Sequence, residues 1–128
     1  MKEHYVSLEL AKLLKEKGFR EICHRYYNAQ YDKIRSVGDT FMMDFNDEEY
    51  MKSITMGGAI SVPTIQMVLA WIRKKGYYIE IRMDNYTFNY FYFIFNDKGS
   101  LVAYSFVNYA SYEEAAEESA KHILTYLI

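Results

Sequence analysis

Cys23 and His24 are the residues of this sequence whose types suit nucleophilic catalysis. A cysteine attacks as its thiolate, and a histidine within hydrogen-bond reach can accept the proton. Sequence neighbours on a strand point to opposite faces, so His4 or His122 would have to supply the base. No electropositive surroundings are indicated for the thiol. We therefore predict no catalytic residue, and keep a small hydrolase or transferase using Cys23 with a distant histidine as the enzymatic alternative.

Asp44, Asn46 and Glu48 alternate in the manner of calcium-loop ligands. The glycine of the sharp turn and the distal bidentate glutamate of such loops are missing, and acidic residues are common in the first turn of a helix. The three histidines and one cysteine of the chain also lack the spacing of zinc ligands. We interpret the acidic residues as helix-capping residues and predict no metal site.

Gly57 and Gly58 precede the segment Ser61-Val62-Pro63-Thr64, where a helix is predicted to begin. Glycines at a helix N-terminus can approach a phosphate closely. The chain has no Walker sequence and no G-x-G-x-x-G motif, so we interpret the glycines as a hinge and predict no cofactor-binding residue and no cofactor.

The totals describe an ordinary folded chain. Its 128 residues are 51% hydrophobic, which fits a single domain over residues 1–128. Fifteen basic and seventeen acidic residues give a formal net charge of -2, which disfavours nucleic acid and acidic membranes as partners. One cysteine suits a reducing compartment, Glu3 and Glu9 interrupt the apolar stretch that a signal peptide needs, and no 18 apolar residues run together, so we expect neither export nor membrane spanning and predict a cytoplasmic protein.

Local patterns predict the elements of the first half. Ser7 is a helix cap, and an apolar arc runs from there to Gly18. Short strands are expected over 21–28 and 30–35. Residues 36–60 are predicted to form a loop around one short helix, capped at Asn46 or Asp47.

The second half has sharper signals. A helix is predicted over 61–75 with Pro63 in its first turn, followed by strands over 77–83, 86–95 and 100–107. Ser111 and Glu114 form a capping box that opens a last helix, 111–128. The predicted fold class is α+β, an antiparallel sheet of three or more strands with helices packed on it, in α-β-β-β-α order over 61–128 after an N-terminal helix and short strands.

Aromatic residues are concentrated in the predicted sheet, within a chain of fourteen tyrosines and eight phenylalanines. We expect Ile79, Ile81, Phe91 and Phe93 to face the helices. The opposite face then carries either residues covered by helix 7–17 or an interface, because aromatic residues and arginine are enriched at protein contacts. The candidate interaction surface on that face is Tyr78, Arg82, Phe88, Tyr90 and Tyr92, with Ile94 beside them.

The α-β-β-β-α order resembles that of double-stranded RNA-binding domains, whose second helix begins with clustered lysines. The corresponding turn here contains Glu113, Glu114, Glu117 and Glu118, which would repel phosphate. Nucleic-acid binding through this topology is therefore only an alternative prediction. Stacking of single-stranded nucleic acid on the aromatic face is disfavoured because few cations accompany it.

A second resemblance covers residues 5–128. The run Ile60-Ser61-Val62-Pro63-Thr64-Ile65-Gln66-Met67-Val68-Leu69-Ala70-Trp71-Ile72-Arg73, the tyrosine-rich strands and the Ser-Tyr-Glu-Glu-Ala helix are similar to small uncharacterised proteins of bacterial mobile-element or phage-derived gene islands. This resemblance implies a compact cytoplasmic protein and transfers no catalytic residue. The resulting prediction is a non-enzymatic interaction or accessory domain, acting as a homodimer or with another protein partner.

Overall fold

The structure, a computed structural model, describes residues 3–38 and 42–128. Within these residues the fold is α+β, with four α-helices and two three-stranded antiparallel sheets. The chain divides into two compact units. We call Tyr5–Thr64 the N-terminal unit, and Ile65–Ile128 with Glu3 and His4 the C-terminal unit. Their grouping as one domain over 1–128 remains a prediction.

The N-terminal unit has two helices and one small three-stranded sheet, in which the first strand of the sequence lies between the other two. As predicted, Ser7 caps the first helix, and its Oγ accepts a hydrogen bond from the Leu10 amide at 3.2 Å. Gly18 follows that helix with φ +91°, a conformation that glycine adopts without steric cost. The elements are α1 (Leu8–Glu16), β1 (Arg25–Asn28), β2 (Lys33–Ser36), α2 (Glu48–Ser53) and β3 (Ile60–Ser61).

Strands β1 and β2 pair as an antiparallel hairpin, which confirms the predicted return of the chain. Asp47 caps α2, also as predicted, by accepting from the Tyr50 amide. The core of this unit consists of fully buried side chains, each of which stabilises the fold by roughly 1.5–3 kcal/mol. Its largest members are Phe19, Phe45, Leu10, Leu14 and Met51.

The C-terminal unit has three antiparallel strands that lie side by side in sequence order, with two helices on one face of the sheet. The last helix continues into a π-helical turn, Ile123–Leu127. Gly76, at φ +93°, follows the first helix of this unit, at the position where the sequence predicts that helix to end. The elements are α3 (Ile65–Lys74), β4 (Tyr77–Met83), β5 (Tyr90–Asn96), β6 (Leu101–Tyr104) and α4 (Tyr112–His122).

Several boundaries differ from the prediction, including the start of β1, which is Arg25 and not residue 21, and the end of β6, which is Tyr104 and not residue 107. Helix α3 begins at Ile65, because residues 60–61 form β3 and Pro63 accepts a hydrogen bond from the Val6 amide as part of the connection between them. Strand β5 begins at Tyr90 and not at residue 86. Residues 84–89 form a turn in which the Asp84 side chain accepts hydrogen bonds from the Tyr86 amide and the Thr87 hydroxyl.

The register of β4 with β5 corrects the predicted assignment of faces. Ile79 pairs with Ile94 and Ile81 with Tyr92, so these four residues share a face. Phe91 and Phe93 pair with Arg82 and Glu80 on the opposite one. The loop 84–89 has an even number of residues, so odd-numbered residues of β4 pair with even-numbered residues of β5. The predicted faces would need odd-numbered residues of both strands to lie on the same face.

Candidate interaction surface

The five predicted surface residues do not lie together. Tyr78 and Arg82 are exposed and share a face of the sheet, but Tyr90 and Tyr92 lie on the other face, and Phe88 is in the loop between β4 and β5. Tyr92 is only 7% exposed. It lies on the same face as the fully buried Ile94, so the predicted assignment of Tyr92 and Ile94 to the face away from the helices is wrong.

Tyr90 and Tyr92 belong to a ring cluster that involves the first and last residues of α4. The Tyr90 ring meets Tyr112 edge to face at 6.5 Å between centroids. Tyr92 stacks on Tyr109 at 6.1 Å and lies 6.4 Å from His122. Burial raises the pKa of the Tyr92 hydroxyl, with smaller contributions from Tyr109 and Glu118. These tyrosines therefore pack the helices against the sheet.

The opposite surface carries most of the exposed aromatic residues of the sheet. Tyr78 pairs with Phe95, and Phe95 with Leu101; Phe93 pairs with both Glu80 and Tyr104. Tyr78 and Tyr104 are 47% and 48% exposed, whereas Phe91, Phe93 and Phe95 between them are half-buried. We call this surface the open sheet face, and it consists of Tyr78, Glu80, Arg82, Phe91, Phe93, Phe95, Leu101 and Tyr104.

The rings of the open sheet face contact one another. Phe91 and Phe93 meet edge to face at 5.6 Å, and Phe93 stacks with Tyr104 at 6.5 Å. Its charged residues form one pair: Arg82 Nε donates to Glu80 Oε1 at 2.7 Å, and the guanidinium lies 4.8 Å from the centre of the Phe93 ring. The hydrogen bond from Arg82 holds the pKa of Glu80 below its usual value. The face is thus aromatic and internally neutral.

Phe91, Phe93, Phe95 and Tyr104 were missed as surface residues by the sequence reading. Residue type alone did not predict a surface position for them, because phenylalanine in a central strand is usually buried. The length of the 84–89 turn was the usable signal, since it fixes which residues of β5 share a face with Tyr78 and Arg82.

Phe88, the remaining predicted residue, lies in the loop with φ +60°, a conformation that a bulky side chain rarely adopts. Its amide donates to the Asp84 carbonyl at 2.8 Å, which helps to hold that conformation. Phe88 is 67% exposed, so it remains a candidate contact residue at the end of the sheet.

The cysteine chemistry considered from the sequence finds no support in the structure. Cys23 is fully buried, and burial raises the pKa of its thiol to about 12. His24 is the histidine of the same unit, and its Nδ1 lies 2.8 Å from the Gly38 carbonyl oxygen. Such a thiol is protonated at neutral pH, and the protonated thiol is not the nucleophile of cysteine catalysis.

The residues considered as calcium ligands make other contacts. Asp44 accepts from Arg20 at 2.6 Å. Asn46 donates to the Phe19 carbonyl at 2.8 Å and accepts from the Ser61 amide at 2.9 Å. Glu48 pairs with Lys15 at 2.6 Å. Among the described residues, no group of three or more His, Cys, Asp or Glu side chains could hold a metal ion.

One glycine segment and one helix start could each have bound phosphate. Both already bind a carboxylate of this chain. The Gly58 amide donates to both oxygens of Glu48, at 3.0 and 3.2 Å. At the start of α4, the Ser111 hydroxyl accepts from the Glu114 amide, as in the predicted capping box. The Glu114 carboxylate accepts in return from the Ala110 amide, one residue before the N-cap, and not from Ser111 itself. Neither position favours an added anion.

A groove runs along β6. It encloses about 340 Å³ and is lined by Leu101, Val102, Ala103, Tyr104, Phe106 and His122. Four of these residues are consecutive in one strand, and consecutive strand residues point to opposite faces. The groove must therefore follow the edge of β6 and not one of its faces.

Comparison with protein families, curated proteins and solved structures gives no significant match for this chain. The resemblance to mobile-element proteins accordingly stays a prediction. No helix within residues 3–38 and 42–128 has the length and apolar character needed to cross a membrane.

Proposed function

We propose that this chain is a non-enzymatic protein-interaction module that forms a homodimer through the open sheet face. The observation that supports the proposal is the aromatic surface of Tyr78, Phe91, Phe93, Phe95 and Tyr104, with a single Glu–Arg pair among the rings. Contiguous exposed apolar surface is unusual on a monomer and is typical of interfaces. We further propose a cytoplasmic setting, which the single reduced Cys23 supports.

A second copy of the chain is the occupant that the charges favour. Glu80 and Arg82 lie two residues apart on one side of β4, so a two-fold axis passing near Ile81 would bring Arg82 of each copy opposite Glu80 of the other. A surface with equal opposite charges and a continuous aromatic area is complementary to itself, as a two-fold interface requires.

Single-stranded nucleic acid is the main competing occupant, because bases also stack on exposed aromatic rings. Phosphate contacts need unpaired cations, and Arg82, the cation of the open sheet face, already binds Glu80 at 2.7 Å. The acidic first turn of α4 adds repulsion. The charges therefore favour protein over nucleic acid as the partner.

The test is the solution mass of the purified chain by light scattering over a concentration series. We expect a mass near twice 15.2 kDa at high concentration and a shift to the monomer on dilution. Tyr78→Glu should weaken dimerisation at least tenfold, because it places two carboxylates in a desolvated interface. A monomer at every concentration up to about 1 mM would contradict the proposal.

Tyr31→Glu is the matched control. Tyr31 is an exposed tyrosine, at 58%, in the turn between β1 and β2 of the N-terminal unit. The two variants make the same chemical change at similar exposure, so their thermal unfolding curves should be alike. If Tyr31→Glu reduces the mass as much as Tyr78→Glu, the association does not use the open sheet face.

A further inference from the structure

A small recess of the C-terminal unit lies between its two helices and the edge of its sheet. It encloses about 140 Å³ and is lined by residues of α3, β4 and α4. Two of these residues are consecutive in the edge strand β4, and consecutive strand residues point to opposite faces, so the recess reaches the edge of the sheet. The lining residues are Gln66, Leu69, Arg73, Tyr78, Ile79 and Tyr112.

Arg73 differs from the other four arginines of the chain in its contacts. Arg20 and Arg82 bind carboxylates at 2.6 and 2.7 Å. The guanidinium groups of Arg25 and Arg35 lie 3.7 and 5.8 Å from the centres of tyrosine rings. Arg73 makes neither kind of contact with the residues that the structure describes. Its planar set of donors is therefore available, and this set matches a carboxylate in a pair of parallel hydrogen bonds.

The rest of the recess suits the apolar body of a small acid. Leu69, which is 8% exposed, lies one turn before Arg73 on the same side of α3, and Gln66 lies one turn before Leu69. The Gln66 amide group and the Tyr112 hydroxyl make no hydrogen bond with described residues, so both can bind a polar group of a ligand. None of the described carboxylates lines the recess.

The volume of the recess limits the ligand to about one ring with its carboxyl group. A cavity of about 150 Å³ is sufficient for benzene, whereas sites for drug-sized ligands enclose roughly 300–1,000 Å³. The recess is too small for a strand of peptide and has an apolar side that inorganic phosphate would not use. Glu113 and Glu114 follow Tyr112 directly, and their charges oppose phosphate more strongly than a singly charged carboxylate.

We propose that this recess binds a small aromatic monocarboxylate, with the carboxylate on Arg73 and the ring against Leu69 and Ile79. The unpaired guanidinium selects the charge, and the volume selects the size. Arg73, Leu69 and Ile79 lie outside the open sheet face. Tyr78 is common to both surfaces, but the proposed contacts do not include it, so the site does not depend on dimerisation.

The probe is benzoate, with benzamide as its uncharged counterpart and inorganic phosphate as an anion without a ring. Binding is followed by amide shifts of the ¹⁵N-labelled chain. We expect benzoate to saturate with a dissociation constant of about 1 mM, as suits a ligand of about nine non-hydrogen atoms, and to shift residues 66–73, 78–79 and 112. Benzamide and phosphate should each bind at least tenfold more weakly.

Three outcomes of the titration would overturn the proposal. Absence of saturation by about 20 mM benzoate would mean that the recess does not bind the acid. Equal binding of benzamide or of phosphate would remove the selection for charge or for the ring. Shifts centred outside the recess would place the site elsewhere. A failure to dimerise would leave all these results readable, because amide shifts report on Arg73 in the monomer and the dimer alike.

Arg73→Gln should weaken benzoate binding at least tenfold, because the charge and the paired donors are both lost. Arg73→Lys should cause a smaller loss, since lysine retains the charge without the planar donors. Arg35→Gln is the matched control, an exposed arginine in β2 of the other unit, and it should leave binding unchanged. Equal losses in Arg35→Gln and Arg73→Gln would show that benzoate responds to the net charge of the chain and not to this recess.

Discussion

The two faces of the β4–β5–β6 sheet contain similar residues but have different environments. The face toward the helices buries Ile94 completely and Tyr92 almost completely, whereas the opposite face leaves Tyr78 and Tyr104 about half exposed. Both faces are rich in aromatic rings, and residue type alone does not distinguish them. The comparison shows that an aromatic strand can contribute to a core with one set of side chains and present a contact surface with the other.

The largest expected difference between the faces is in stability. Ile94→Ala should lower the free energy of unfolding by about 2–5 kcal/mol, because it removes buried methylenes and leaves a cavity. Tyr78→Ala, on the open sheet face, should change it by less than about 1 kcal/mol. Urea unfolding of the monomer at low concentration measures both. Similar losses for the two variants would remove the distinction between a covered and an open face.

A smaller effect is expected from charge reversal on the open sheet face. Glu80→Arg alone and Arg82→Glu alone should each weaken dimerisation by about tenfold, roughly 1.4 kcal/mol, because each places like charges across the two-fold axis. Mixing the two variants should restore a dimer, since each arginine then meets a glutamate of the other copy. Light scattering of the separate and mixed variants is the measurement.

The mixing experiment also separates contacts between copies from the contact within one chain. Neither variant regains the internal Glu80–Arg82 pair when they are mixed, so recovery can come only from contacts between chains. Absence of recovery would mean that these charges act within each copy, and the proposed two-fold arrangement would then be wrong.

The smallest effect concerns alkaline pH. Burial raises the pKa of Tyr92 above its ordinary value of 10.0. Above that pH the unfolded chain releases this proton while the folded chain retains it, so stability should fall as pH rises from about 10 toward the folded pKa. Tyr92→Phe should lose less stability over that interval than the unmodified chain, as measured by thermal unfolding against pH. Identical pH profiles would indicate that Tyr92 is accessible to water.

Much of the architecture could be predicted from local chemistry. Ser7, Asp47 and Ser111 cap the helices as expected, because a side-chain oxygen next to free amide groups is a local signal. The hairpin of β1 and β2 and the three later strands were also predicted. The candidate surface was predicted less well: Tyr78 and Arg82 lie on the open sheet face, Phe88 lies in the loop, and Tyr90 and Tyr92 lie on the helix side.

The sequence by itself determined the α+β class, the order of the elements and the aromatic character of the sheet, since these depend on capping, periodicity and composition. Only the tertiary structure decided which aromatic residues are exposed. A side chain's face follows from strand register, and the register here depends on the backbone path of residues 84–89 and on the bulge in β6. A one-residue change in pairing exchanges the two faces, and no local pattern opposes that change in β5, where aromatic residues occur at both odd and even positions.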